Sequence, residues 1–290
     1  MKKFYSSFSL FFSNIYNLLP WRFNRLMGWL LATLWVDILR IRRQVILDNL
    51  TKAFPEMSMA EKNEIMKKSM VYLCQSFFDV IRIPRLDDQI VSERIVFEGC
   101  EKLKNEKGVL LLSLHLGSGD LGGAAFSHSV KPMSLITKRF KNQFLDTFWF
   151  TLRSRSKTEF IDAHGKNNAF EILKDLKKER GVAFVIDQFM GKPYGVSTTF
   201  FGHTTGSAYG LALFAQKTKA PLYPLYTFWD KNYKLHVVVG ERIKIEDYVG
   251  LDVEKNNVIL TQLFNHVIED IIKKHPEQWM WVHKRWKVFE

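Results

Sequence analysis

The chain has 290 residues, of which 42 are Lys or Arg and 30 are Asp or Glu, giving a formal charge of +12, and 47% are hydrophobic. This excludes a disordered, collagen-like or disulfide-stapled chain, and the length suffices to bury a large core. Cys74 and Cys100 form neither a CxxC nor a zinc-ligand spacing, as expected of a body on the reducing side. The positive balance points to an anionic partner without choosing among nucleic acid, acidic lipid, phosphorylated small molecules and acidic proteins.

Residues 1–36 contain Lys2, Lys3, Arg22 and Arg25 but no acid, and two apolar stretches cover 4–19 and 26–39, the second with Trp29 and Trp35. Both fall short of the roughly 20 apolar residues of a spanning helix. Ser6, Ser7, Ser9, Ser13 and Asn14 interrupt the first stretch, and no small-x-small cleavage site follows it. An amphipathic section on a membrane surface, with Trp at headgroup level and cations toward an anionic leaflet, is the expectation; a buried helical hairpin is its rival. Residues 40–89 read as helical, with a break at Pro55 and a close at Ile83-Pro84.

From Gly108 the texture changes. Strands are expected at 109–114, 133–137, 159–161, 182–186, 222–228 and 235–239, alternating with helices at 119–129, 142–156, 166–180 and 207–219. A last helix at 253–274 ends in Lys273-Lys274-His275 before Pro276. This alternation predicts an α/β fold: a mostly parallel central sheet covered by helices on both faces, with an N-terminal membrane-docking helical section. The domain reading is 1–90 for that helical section and 91–290 for the α/β domain. No repeat or low-complexity tract divides the chain.

The densest chemical signal is Leu111-Leu112-Ser113-Leu114-His115-Leu116-Gly117-Ser118-Gly119-Asp120-Leu121-Gly122-Gly123. A buried strand delivers a histidine to its carboxyl end, where ligands bind in open α/β sheets, and a glycine-rich turn starts a helix. Small residues between His115 and Asp120 let the chain double back and set Asp120 beside the imidazole. A carboxylate on one ring nitrogen fixes the tautomer and leaves the other nitrogen to remove a hydroxyl proton. The same stretch reads Gly117-x-Gly119-x-x-Gly122, a dinucleotide fingerprint. That motif wants an acid about 20 residues on, and this sequence has Lys138-Arg139 there, so the rival is an NADP-binding oxidoreductase. The histidines form no HExxH or paired set, so no metal is expected; a nucleic-acid role needs a basic stripe with stacking aromatics, and Trp279, Trp281, Arg285 and Trp286, which superficially offer one, read as packing or interfacial anchors. A non-catalytic anionic-lipid binder is a third reading.

His115-x4-Asp120 is similar to the catalytic motif of glycerolipid-type acyltransferases, and the chain as a whole resembles the bacterial lipid A biosynthesis (lauroyl/myristoyl) acyltransferase family. The resemblance runs from Arg42-Arg43-x-x-Ile46-x-x-Asn49-Leu50-x-x-Ala53-Phe54-Pro55 through the His115 strand and Lys138-Arg139 with Leu152-Arg153. It continues through Asp187-Gln188, Thr199-Phe200-Phe201-Gly202 and His275-Pro276-Glu277-Gln278-Trp279-x-Trp281-x-His283-x-Arg285-Trp286-Lys287.

The resemblance implies direct transfer of a fatty acyl group, with no acyl-enzyme and no cofactor. The donor is a thioester of acyl carrier protein or coenzyme A, and the acceptor a hydroxyl of a lipid A precursor or related anionic glycolipid at the cytoplasmic face of the inner membrane. A lysophospholipid is the alternative acceptor. Neither Ser113 nor Ser118 sits in a Gly-x-Ser-x-Gly elbow, in keeping with this chemistry. His115 is implied as the base and Asp120 as its orienting partner. Arg139 and Arg153 are implied at substrate phosphate or the thioester oxyanion. Asp187 reads either as a second carboxylate near His115 or as the first residue of a turn, and Gly202 as a tight turn in the substrate-binding set. Two departures stand out: the lipid A branch usually carries Glu at the position of Asp120, and often Arg at that of His203.

Overall fold

The computed structural model describes residues 1–290. Five helices, α1 (Lys2–Tyr16), α2 (Arg22–Ala32), α3 (Arg43–Ala53), α4 (Met59–Arg82) and α5 (Asp88–Arg94), lead to β1 (Ile95–Glu98). Strands and helices then alternate: β2 (Val109–Ser113), α6 (Gly119–Ser129), β3 (Met133–Thr137), α7 (Gln143–Arg153), β4 (Glu159–Asp162), α8 (Asn168–Lys177) and β5 (Gly181–Val185). A hairpin of β6 (Gly195–Phe200) and β7 (His203–Ala208) interrupts the alternation before α9 (Gly210–Thr218), β8 (Leu222–Trp229), β9 (Leu235–Val239) and α10 (Val253–Lys274).

Seven strands form one sheet in the order β1-β9-β8-β2-β5-β3-β4, and only the β8–β9 pair is antiparallel. The α/β expectation of a mostly parallel sheet between helical layers is met. Its leucine-rich centre follows from burial on both faces. Leu110 and Leu112 of β2 pack into a core with α4, α9 and α10, whereas Val109 and Leu111 pack on the other side with Leu121 and Phe126 of α6. Helix α4 starts in a reciprocal Ser58–Glu61 capping box. Met66, Met70 and Cys74 of this helix join the first core and Val80 and Ile81 the second.

Helix α1 is amphipathic in an inverted sense. The serines that interrupt its apolar run, Ser9 and Ser13, are fully buried, whereas Phe4, Phe11 and Ile15 are exposed. Ser9 Oγ donates to Tyr5 O at 2.6 Å and Ser13 Oγ to Ile81 O at 2.6 Å, so the buried hydroxyls are satisfied locally and on α4. Along α7, Phe144 meets Tyr5 and Phe8, and Phe148 meets Phe12. No helix is long and apolar enough to cross a membrane.

The helix expected at 207–219 begins later, at Gly210, because residues 203–208 form β7. The two-residue turn of the hairpin is Phe201-Gly202, with φ of 48° and 72°. Positive φ at both central residues is the geometry that matches strand twist, and glycine meets it at least cost.

Two glycines of the His115 loop are consumed by packing on β8. Gly117 has φ of 60°, and a Cβ there would lie 2.6 Å from Thr227 O; a Cβ on Gly122 would lie 2.3 Å from Thr227 Cγ2. The fingerprint-like spacing therefore serves helix–sheet contact. Gly117→Ala meets both the left-handed penalty of about 1–2 kcal/mol and the carbonyl clash. A stability loss of about 2–4 kcal/mol is expected in denaturant melts; a midpoint matching wild type would contradict this account.

Candidate active site

Strand β2 ends at Ser113, which pairs with Val185 at the end of the parallel neighbour β5. Two residues further along each chain lie His115 and Asp187, side by side at the carboxyl edge of the sheet. His115 Nδ1 is 2.8 Å from Asp187 Oδ1, and the His115 backbone N–H donates to Asp187 Oδ2 at 2.9 Å. The indole N–H of Trp279 donates to the same Oδ2 at 2.7 Å. The Asp187 side chain is 1% exposed and that of His115 42%, so a fully bonded buried carboxylate grips one edge of a ring whose other edge faces outward.

Their titrations are tied. Burial pushes His115 down, but the Asp187 charge and hydrogen bond, helped by Asp120 and opposed by Arg153, leave it above the ordinary 6.5. Burial pushes Asp187 up, but the imidazole and the hydrogen bonds from His115 and Trp279 hold it below the usual carboxylate range. Any fraction of charge that the ring acquires is stabilised where it forms.

The expected Asp120 contact with the ring is not formed: Asp187 holds Nδ1 in its place. Asp120 Oδ1 is 2.7 Å from Arg153 Nη2, because the first turn of α6 directs this side chain across to the end of α7. Arg153 is buried, and its guanidinium stacks over Phe160 at 4.3 Å from the ring centroid. Beneath the pair is a narrow crevice of about 10 Å³ bordered by Ile83, Gly123, Met133, Leu135 and Phe160. Arg139 is half exposed and pairs with Asp146, at 3.1 Å from Nε to Oδ1 and 2.5 Å from Nη2 to Oδ2. It lies 3.8 Å from the Phe150 ring centroid. Gly202 forms the hairpin turn and nothing lies within 4 Å of its missing Cβ.

The C-terminal tail is the part of the site that sequence reasoning undervalued. Residues 278–285 wrap the His115 loop: Gly117 N–H donates to Gln278 O at 3.2 Å and Met280 N–H to His115 O at 3.2 Å. His283 accepts from the Phe189 N–H through Nε2 at 3.2 Å and is pushed down to about 4 by burial, so it is a neutral acceptor near the dyad. Arg285 is fully buried and donates to Gly206 O at 2.6 Å and to Ser207 Oγ at 2.6 Å. The density of Trp, His and Arg in this tail was the available signal.

With this geometry in place, comparison with known sequences decides the family. Residues 1–288 match the profile of the bacterial lipid A biosynthesis acyltransferases. The chain belongs to that family. It is 25% identical over 255 residues to the lipid A biosynthesis palmitoleoyltransferase of Escherichia coli K12, covering 86% of this chain and 80% of that one. It is 24% identical over 265 residues to the lauroyltransferase of the same strain, covering 89% and 83%. A phosphatidylinositol mannoside acyltransferase of Mycolicibacterium smegmatis is 21% identical over 231 residues, covering 77% and 73%. This acyltransferase therefore acts on lipid A or a related glycolipid, and the oxidoreductase reading of the glycine loop gives way, as the packing of Gly117 and Gly122 on β8 already indicates.

Proposed function

We propose that the protein moves a fatty acyl group from the thioester of acyl carrier protein or coenzyme A directly to a hydroxyl of a lipid A precursor or a related anionic glycolipid. The reading rests on the His115–Asp187 arrangement. Nδ1 is occupied by a buried carboxylate at 2.8 Å, which makes Nε2 the proton acceptor. The acceptor oxygen attacks the thioester carbonyl carbon as its proton passes to Nε2. The tetrahedral oxyanion then collapses, the carbon–sulfur bond breaks, and the imidazolium returns the proton to the leaving thiolate. The products are an ester and a free thiol, and no covalent enzyme intermediate forms. The amino-terminal end of α6 contributes positive potential where the oxyanion develops. Arg153 contributes by fixing Asp120 and the start of that helix, and exposed Lys138 supplies positive charge for acceptor phosphates, joined by Arg139 when a phosphate displaces its Asp146 partner.

The test is transfer of a radiolabelled acyl chain from each donor thioester to Kdo2-lipid IVA and to a mixed bacterial lipid extract. His115→Ala is expected to lose about 10²–10⁴-fold in rate with an unchanged melting temperature. Equal rates in both proteins would remove the base role. A general base works when neutral, so wild-type activity falls on acidification through the raised His115 pKa, with a half-maximum above pH 6.5.

The reaction is proposed to occur at the cytoplasmic face of the inner membrane. Supporting this is the inverted α1, which buries Ser9 and Ser13 and turns Phe4, Phe11 and Ile15 outward beside exposed Phe144 and Leu145 of α7. In water such a face costs apolar hydration that a bilayer interface relieves. Flotation with vesicles containing phosphatidylglycerol is expected to carry the wild type up, and the Phe4→Ser, Phe11→Ser double variant to stay behind by about tenfold or more. Equal flotation would refute the surface.

A further inference from the structure

Asp79 of α4 is a carboxylate with no exposed surface that the proposed transfer does not use. Its Oδ1 accepts from Asn24 Nδ2 at 2.7 Å. The Asn24 oxygen accepts in turn from Arg82 Nε at 3.1 Å and Nη2 at 2.9 Å and from the Tyr16 hydroxyl at 3.0 Å. Arg82 also donates to Leu19 O and Pro20 O, in the turn between α1 and α2. One side of Asp79 is thus built into the clamp that holds the N-terminal helices.

The other side meets the His115 loop. Burial pushes the Asp79 carboxyl up to about 6, against the Asn24 bond, the polar side chains of Ser118 and Gln75 and the Arg82 charge, which all hold it down. Ser118 is fully buried and occupies the N-cap of α6, yet its hydroxyl caps no backbone N–H there. A serine at this position ordinarily bonds the second or third amide of its own helix. Asp79 Oδ2, Ser118 Oγ and Gln75 Oε1 are three buried polar atoms without a well-formed hydrogen bond in this structure. Of the three only the Ser118 hydroxyl can donate, and the ionised Asp79 oxygen is the stronger acceptor for it.

We infer that Asp79 is a positioning residue for acyl transfer: its carboxylate takes the Ser118 hydroxyl and so sets the 115–120 loop against the N-terminal helices. The inference rests on the proposed role of His115. Ionised Asp79 accepts from Asn24 through Oδ1 and from the Ser118 hydroxyl through Oδ2, whereas the protonated acid becomes a donor and reverses the Ser118 bond. The charged and titratable groups facing it are Arg82 on its own helix and Tyr16 on α1, with Arg94 of α5 beyond Arg82. Burial raises the Asp79 pKa, so acidification protonates it, turns the Ser118 bond round and shifts the loop from its working geometry.

The experiment measures kcat and KM for labelled acyl transfer by the full-length enzyme from acid to alkaline pH, for wild type, Asp79→Asn, Ser118→Ala and the double variant. Each single variant is expected to lose about tenfold in kcat near neutrality, the equivalent of one hydrogen bond to a charged group. KM is expected to stay within about twofold, and the double variant to be no slower than the worse single. The wild-type acid limb should steepen from one proton to two below about pH 6, while both variants keep the one-proton limb of His115. If Asp79→Asn does not fold, Ser118→Ala carries the same comparison. Wild-type kcat and limb in Ser118→Ala, or losses that multiply in the double variant, would overturn the inference alone. No transfer by the wild type would remove the proposed function and this inference with it.

Discussion

Asp187→Asn lowers kcat by about 10²–10⁴-fold while leaving the melting temperature within a few degrees of wild type. The carboxamide keeps the shape of the side chain but has only one oxygen. The Trp279 N–H and the His115 backbone N–H both need an acceptor at the Oδ2 position. An amide that satisfies them turns its NH₂ toward Nδ1, and the ring proton is driven to Nε2, where the base must be free. The pH profile carries a second signature. Without the carboxylate, burial is the largest remaining influence on His115, so residual activity should have its acid limb below pH 6.5 where the wild type has it above. A variant with wild-type rate and limb would show that the 2.8 Å contact is structural. Asp120→Asn, measured alongside, should lose less and leave the limb nearly in place.

That contrast shows what was legible in the sequence. The apolar run 109–113 ending in a histidine and a glycine turn announced both a central strand and the edge where chemistry gathers. Strand order was not legible. Asp187 is 72 residues from His115, and only the parallel pairing of Ser113 with Val185 brings the two strand ends together. Spacing arguments favour the carboxylate five positions away, but a helix start aims its first-turn side chains by the direction of the helix axis. Here that direction leads Asp120 to Arg153. The hairpin of β6 and β7 escaped for a different reason: Ser197-Thr198-Thr199 and Thr204-Thr205-Gly206-Ser207 lack apolar alternation. Thr198, Thr205 and Ser207 are buried through hydrogen bonds to one another, to Asn265 and to Arg285. Trp279 was legible as an aromatic and not as a donor, since its indole N–H acquires meaning only once Asp187 lies beneath it.

Removing either partner of the Asp120–Arg153 pair should destabilise the fold unequally. Asp120→Ala leaves a guanidinium that is 6% exposed, stacked over Phe160 with its Nε already unpartnered. Stranding a buried cation costs about 3–5 kcal/mol. Arg153→Ala leaves a carboxylate that is 24% exposed and sits in the first turn of α6, where water and the helix dipole both offset its charge. Screening and the dipole bring that loss to about 1–3 kcal/mol. The Asp120→Ala, Arg153→Met double variant removes both charges and keeps an apolar stem between Phe150 and Phe160, so it should recover most of the stability lost by Asp120→Ala. Denaturant midpoints of the four proteins measure this directly, and equal losses in the two single variants would contradict the asymmetry. Activity is expected to follow a different order. In the double variant stability returns while the loop that carries His115 has lost its tether to α7, so kcat should stay about tenfold or more below wild type.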